Sequence, residues 1–390
     1  MTDRDKRSFI QQELADRKAA NKFRSLAVVR PQGQGTGILK GGKELINFSA
    51  NDYLGLSKHP RLIQKAQEYT KSYGAGSTAS RLISGTYDIH DQLEEKLADV
   101  FGREAALVFN SGFQANSTIV STLTDRHSLV LADKLCHNSL LQGALLSRAT
   151  LKRYDHNNID DLKSLLQSGI EESYNRILII TETVFSMDGD RADIAAISKL
   201  ANEFGALLFV DDAHAVGVWG EQGLGLAKEV EGIDILLGTC GKAFGSFGSY
   251  VVCSRQMRDY LVNFCPGFIY TTALPPAVIG AIDAAVDLIP KMDDERNKLH
   301  ENISYMRDGI QEIGFKTGSS STQIIPIIIG DEKECLDLAQ WLEEQGILAT
   351  AIRPPTVPEK SSRIRITLSA SHSKEQINHF LDALKRWSHG

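Results

Sequence analysis

The sequence predicts an α/β fold: a mainly parallel sheet covered on both faces by helices, followed by a smaller α+β domain. Three observations lead there. Short, unbroken apolar runs alternate with helical patterns from about residue 58 to 255. Those runs lack the polar alternation of a half-exposed strand, which places them inside a sheet buried on both sides. A second set of strand and helix patterns follows a long helical region that starts at Pro275–Pro276.

Taken in order, residues 4–24 are charged and helix-prone, with Phe9, Ile10 and Leu14 at helical spacing. The Gly-rich stretch RPQGQGTGILKGGKE (Arg30–Glu44) predicts a loop or hairpin. AALVF (Ala105–Phe109), SLVLA (Ser128–Ala132), RILIITE (Arg176–Glu182), ALLFVDD (Ala206–Asp212) and IDILLG (Ile233–Gly238) read as buried strands. Asp160–Leu166 and Ile194–Phe204 read as amphipathic helices between them. The tail supplies TQIIPIII (Thr322–Ile328), a helix near Cys335–Gln345, ILATAI (Ile347–Ile352), RIRITL (Arg363–Leu368) and a last helix from Lys374. The expected division is an N-terminal arm over 1–50, a large domain over 51–285 and a small domain over 286–390.

Composition narrows the function classes. The 390 residues, 42% hydrophobic and 24% charged, match an ordinary soluble globular protein. A net charge of −6 argues against broad binding to nucleic acid or to an anionic membrane. Five cysteines without a C-x-x-C pair predict free thiols in a reducing, cytoplasmic compartment, and no zinc site. The N-terminus has no apolar leader pattern, and no run approaches 18 apolar residues, so no membrane span is expected.

The chemistry-bearing residues fall at strand ends, where open α/β sheets place their ligands. LLGTCGKAFGSFG (Leu236–Gly248) sets Lys242 among glycines after a strand. A phosphate-cradling Walker loop is excluded, because Leu236 stands where its first glycine belongs and Ala243 follows the lysine. Asp211, Asp212 and His214 follow one strand, Ser186 and Asp188 follow another, and Thr239 precedes Lys242. Singly, each has a plainer reading: an Asp pair also caps helices, a histidine also serves structure, and a loop lysine also faces solvent. Jointly they supply an amine, a carboxylate, an imidazole and hydroxyls, which is the set that pyridoxal phosphate requires. FNSGFQAN (Phe109–Asn116), a strand-to-helix turn, offers the amides of Gly112 and Phe113 to a phosphate.

These segments, in order with NDYLGL (Asn51–Leu56), GSTASRLISG (Gly76–Gly85), ADKLCHNSL (Ala132–Leu140), FSMDGD, DDAHAVGVWGEQGLG (Asp211–Gly225) and IYTTALPP (Ile269–Pro276), resemble the α-oxoamine synthases. The resemblance runs over nearly the whole chain. It implies a fold-type-I pyridoxal-phosphate transferase with a seven-stranded sheet, acting as a cytoplasmic homodimer with shared sites. The tail AIRPPTVPEKSSRIRITLSASH (Ala351–His372) most resembles members that condense L-alanine with a pimeloyl thioester, on coenzyme A or an acyl carrier protein, in biotin synthesis. Relatives that use glycine or serine remain the nearest alternatives, followed by a non-catalytic partner subunit and a simple aminotransferase.

The resemblance also implies roles. Lys242 becomes the lysine that binds the cofactor and moves the proton at the substrate Cα. Asp211 pairs with the ring nitrogen, His214 and Ser186 lie near the phenolic oxygen, and His137 stacks on the ring. Thr239, Gly112 and Phe113 hold the phosphate, and Thr271 or Thr272 reaches the phosphate of the partner subunit. Arg365 binds the amino-acid carboxylate, which a guanidinium grips two-handed. Arg353, Asn51 and Thr356 complete the substrate site, with Arg24 near the acyl chain. Ala79 and Phe113 stand where glycine and tyrosine are common in the family, so Phe113 offers its amide but no hydroxyl.

Overall fold

The structure, a computed structural model, describes residues 6–33 and 35–388 and divides into two units, 51–300 and 1–50 with 301–390. The N-terminal arm therefore shares a unit with the C-terminal segment. Residues 4 and 5 of the expected first helix lie outside the described residues; the helix α1 runs Ser8–Ala19. It buries none of its residues, and Phe9, Ile10 and Leu14 are all exposed. After β1 (Val29–Pro31), the Gly-rich stretch forms a hairpin of β2 (Gly37–Lys40) and β3 (Lys43–Asn47). Gly41 and Gly42 both take positive φ at its two-residue turn, the conformation that matches the twist of the flanking strands.

The larger unit begins with α2 (Pro60–Tyr73), α3 (Asp88–Phe101), β4 (Ala105–Phe109), α4 (Gly112–Leu123) and β5 (Ser128–Asp133). It continues through α5 (Asn138–Ser147), β6 (Thr150–Tyr154), α6 (Ile159–Glu171), β7 (Arg176–Glu182), α7 (Ile194–Phe204) and β8 (Leu207–Asp211). β9 (Ile235–Thr239), β10 (Ser249–Cys253), α8 (Arg255–Phe264), α9 (Pro266–Ile269) and α10 (Pro276–Leu288) complete it. The sheet has seven strands in the order β4-β10-β9-β8-β7-β5-β6, parallel except that β10 runs antiparallel to both neighbours.

The five strands expected in this unit are present, two with the expected bounds and three with ends shifted by one or two residues. β6 and β10 went unread for different reasons. β6 reads TLKRY and is only half-buried at the sheet edge, so it lacks an apolar run. β10 follows the Lys242 loop so closely that its SYVVC run merges with the glycine-rich turn. The core lies between the sheet and α4, α5 and α8, with Leu107, Ile119, Val130, Leu178, Phe209 and Val251 all buried.

The boundary at residue 300 falls inside α11 (Asp293–Glu312); in the other unit the C-terminal segment goes on through β11 (Ile324–Gly330), α12 (Glu332–Glu344), β12 (Ile347–Leu348), β13 (Thr350–Ile352), β14 (Ser362–Thr367) and α13 (Lys374–Ser388). The expected single strand ILATAI is two: β12 pairs with β3, and β13 pairs with β14. A short sequence run thus serves two sheets, a division its apolar pattern does not encode.

Candidate active site

Parallel pairing sets the site. β8 pairs with β7 and β9, so Asp211, Glu182 and Thr239 all end strands at the same edge of the sheet. Asp211 is buried, and its carboxylate is held from two sides. The Ala213 amide donates to Oδ1 at 2.9 Å, and Asn116 Nδ2 donates to Oδ2 at 2.7 Å. Two donors fix the plane of the carboxylate.

Asn116 lies one helical turn inside α4, whose cap is Ser111: its hydroxyl accepts the Gln114 amide at 3.1 Å. The first-turn amides of Gly112 and Phe113 have no intrahelical acceptor and carry the positive end of the helix. Thr239 Oγ1 lies 3.9 Å from where a Gly112 side chain would begin, so hydroxyl and helix end share one small space. This is an anion cradle built from a strand end and a helix start.

His137 caps α5. Its Nδ1 takes the Ser139 amide at 3.3 Å and lies 2.7 Å from Ser139 Oγ, so Nδ1 is the acceptor and Nε2 carries the proton. The ring keeps an exposed face although protein packs around it. That burial pushes its pKa below the ordinary imidazole value, with Asp211 opposing the shift and Lys242 adding to it. Ser139 Oγ also accepts from Asn116 Nδ2 at 2.9 Å. His137, Ser139, Asn116 and Asp211 therefore form one continuous network.

His214 is buried, with Nδ1 2.7 Å from Tyr53 Oη, while Tyr53 donates to Asn51 Oδ1 at 3.1 Å. Ser186 is buried in the loop after β7. Lys242 is half-buried in the turn after β9, and its charge acts on both His137 and Glu182. Gly245, at φ +64°, is what this turn cannot replace: a Cβ there would stand 2.4 Å from the backbone of Leu56 and Ser57. The glycine answers a close approach of two backbone segments.

Thr271 Oγ1 accepts from Asn110 Nδ2 at 3.0 Å, whereas the next residue, Thr272, is exposed. Reading the sequence missed Tyr53, Asn116, Ser139 and Glu182. Glu182 is buried and accepts the His137 amide; burial, then Asp211, raises its pKa well above the carboxylate range. Its position as the last residue of a predicted strand was the available signal. For Asn116 the signal was its place one turn beyond Gly112.

In the other unit, Arg24 Nη2 donates to Thr356 Oγ1 at 2.9 Å, and Arg353 donates to the Asn21 carbonyl. Arg24, Arg353 and Thr356 line a groove of about 740 Å³, together with Lys18, Lys22 and Phe23. Arg365 is buried on β14, on the same strand face as Arg363, while Ile364 and Ile366 fill the other. Among the described residues, no helix is long and apolar enough to cross a membrane.

The donor set of the larger unit fits pyridoxal phosphate. It offers an amine for the aldehyde, a braced carboxylate for the ring nitrogen, and a helix end with a hydroxyl for the phosphate. Residues 43–384 match the family described as aminotransferase class I and II. A curated relative from Desulfosudis oleivorans is 49% identical over 98% of this chain and 99% of its own. The 8-amino-7-oxononanoate synthase of Gluconacetobacter diazotrophicus is 47% identical over 89% of each chain. A serine palmitoyltransferase from S. paucimobilis with bound PLP-myriocin matches at a TM-score of 0.91 and 26% identity, over 98% of this chain and 97% of that one. An 8-amino-7-oxononanoate synthase structure from Francisella tularensis matches at a TM-score of 0.76 and 28% identity, over 88% of this chain and 97% of that one.

Proposed function

The chain belongs to the aminotransferase class I and II family, and from that premise we propose that it is a pyridoxal-phosphate-dependent acyltransferase of biotin synthesis. It condenses L-alanine with a pimeloyl thioester and releases carbon dioxide, free thiol and 8-amino-7-oxononanoate. The observation that carries this is the convergence of Lys242, a braced Asp211 and the His137 network at one sheet edge. The near-full-length similarity to synthases of that product supplies the substrates.

Bound pyridoxal phosphate supplies the electron sink that makes the Cα–H of alanine acidic. Lys242, Asp211, Thr239 and the amides of Gly112 and Phe113 would hold it. Lys242 Nζ then moves the proton at the alanine Cα, because it is the amine on this edge. Asp211 holds a proton at the ring nitrogen, its own orientation fixed by Asn116 and Ala213. His137 presents Nε2–H, a neutral donor suited to the thioester oxygen as negative charge develops there. His214, oriented by Tyr53, and Ser186 serve the phenolic oxygen, and Arg365 takes the alanine carboxylate. Asn51, Arg353 and Thr356 contact substrate, with Arg24 toward the acyl chain.

The working form is a homodimer in which Thr271 or Thr272 reaches the partner's phosphate. Support comes from exposed Thr272, Tyr270 and Ile83, and from Thr271, whose hydroxyl accepts from Asn110 and keeps its own proton to donate.

Incubation with alanine and pimeloyl-CoA, followed by mass spectrometry, tests the assignment; the expected product is 8-amino-7-oxononanoate. Parallel arms carry glycine with acetyl-CoA, serine with palmitoyl-CoA, and pimeloyl-acyl carrier protein. Product only in the glycine or serine arm overturns the substrate assignment. A Lys242→Ala protein with full turnover and an intact cofactor absorption band overturns the role of Lys242.

A further inference from the structure

The loop after β6 brings a histidine that the proposed chemistry does not use against two segments that it does. His156 Nδ1 lies 2.8 Å from Asp133 Oδ1, and Nε2 lies 2.7 Å from Asp190 Oδ2. Both carboxylates are almost fully buried, at 1% and 5% exposure. The ring packs edge-to-face with Phe185, centroids 4.4 Å apart at 85°. Its neighbour Asn157 repeats the span: the amide donates to Asp133 Oδ2 at 2.9 Å, and Nδ2 donates to Asp190 Oδ2 at 3.1 Å.

The two aspartates stand at equal sequence distance from His137 and from Ser186. Asp133 ends β5, four residues before His137, and its Oδ1 also holds the Leu135 amide at 2.7 Å. Asp190 lies four residues after Ser186, and its carbonyl accepts the Phe185 amide at 3.1 Å, which closes the loop carrying Ser186. Two buried carboxylates facing one ring repel each other unless the ring between them donates from both nitrogens.

We propose that His156 is a positioning residue: donating to Asp133 and Asp190 at once, it fixes the segment that carries His137 against the segment that carries Ser186. The inference rests on the reading of His137 and Ser186 as cofactor-facing residues. Electrostatics agree. Burial works against a charged ring, yet the hydrogen bonds and charges of Asp133 and Asp190 raise its pKa to about 10. The ring is therefore charged through the physiological range.

Two measurements on the holoenzyme test this. In protein labelled with ¹⁵N-histidine, both His156 nitrogens are expected to be protonated at pH 8; a neutral ring there overturns the proposal. His156→Gln keeps one donor, loses the charge and turns an amide oxygen toward a carboxylate. It is expected to fold, to change the visible circular dichroism of the bound cofactor, and to lower kcat at least tenfold with KM for alanine moved less than threefold. Adding Asp190→Asn restores the hydrogen-bond sense without an unpaired charge, so the double variant is expected to recover much of the cofactor signal.

An unchanged cofactor signal and kcat in His156→Gln overturns the proposal. So does a double variant no better than the single one, or a failure of both to fold, since either makes the role one of bulk support. The cofactor signal does not depend on the acyl substrate. If the wild type makes no product from alanine and pimeloyl-CoA while that signal responds as expected, the substrate assignment fails and the positioning role stands.

Discussion

Gly143→Ala tests whether helix packing sets the catalytic network. Gly143 lies on α5 where that helix presses against α4. A methyl group there would stand 2.7 Å from Val120 Cβ, 2.8 Å from the Ser117 carbonyl and 3.0 Å from the Asn116 carbonyl. Two of these three neighbours are backbone and cannot rotate away. Restoring ordinary contact moves α5 by roughly 0.7 Å, at a cost of about 1–3 kcal/mol for overpacking. The Ser139–Asn116 hydrogen bond, 2.9 Å long, spans the same interface and stretches past its effective range. His137, the cap of α5, shifts with the helix.

A misplacement of about 1 Å can cost on the order of 10²-fold in rate, so roughly tenfold is expected in kcat. Thermal melting should fall by a few degrees, and the visible circular dichroism of the cofactor should change. The assay is thiol release from alanine and pimeloyl-CoA beside a melting curve. A protein that melts lower yet keeps full kcat and an unaltered cofactor signal would show that the α4–α5 spacing does not position His137.

Three further outcomes follow from the same geometry. Asn116→Leu removes the donor that braces Asp211 and Ser139, so cofactor affinity should fall tenfold or more, read from loss of the bound absorption band on dilution; unchanged affinity refutes the brace. Arg365→Lys trades a two-handed fork for a point charge, and should raise KM for alanine about tenfold with a smaller effect on kcat, as initial rates will show. For pH, the two histidines act in opposite senses. His137 has a lowered pKa, so its contribution to stability is lost as pH falls below the unfolded value of about 6.5. His156 has a raised one, so its contribution is complete below about 6.5 and declines as pH rises toward about 10, by at most about 1.4 kcal/mol per pH unit. Denaturant titrations of wild type and His156→Gln from pH 6 to 10 should therefore converge with rising pH; parallel curves would rule out the linkage.

What the linear sequence determined by itself was the alternation of buried strands with helices and the strand-end residues. Short unbroken apolar runs rich in β-branched residues suit a sheet covered on both faces, and the residues just past them emerge at its ligand-binding edge. Asp211, Thr239 and Lys242 were legible on that ground, and the order of motifs carried the family.

The tertiary structure alone decided which side chains work together. Asn116, Ser139 and Glu182 become part of the site because α4, α5 and β7 meet there, and contact between elements far apart in sequence leaves no local period. Tyr53 reaches His214 across 161 positions for the same reason. His156 is the clearest case. One histidine after a half-exposed edge strand has no pattern to announce it. Only the fold places two buried carboxylates against its two nitrogens, and their hydrogen bonds and charges together raise its pKa.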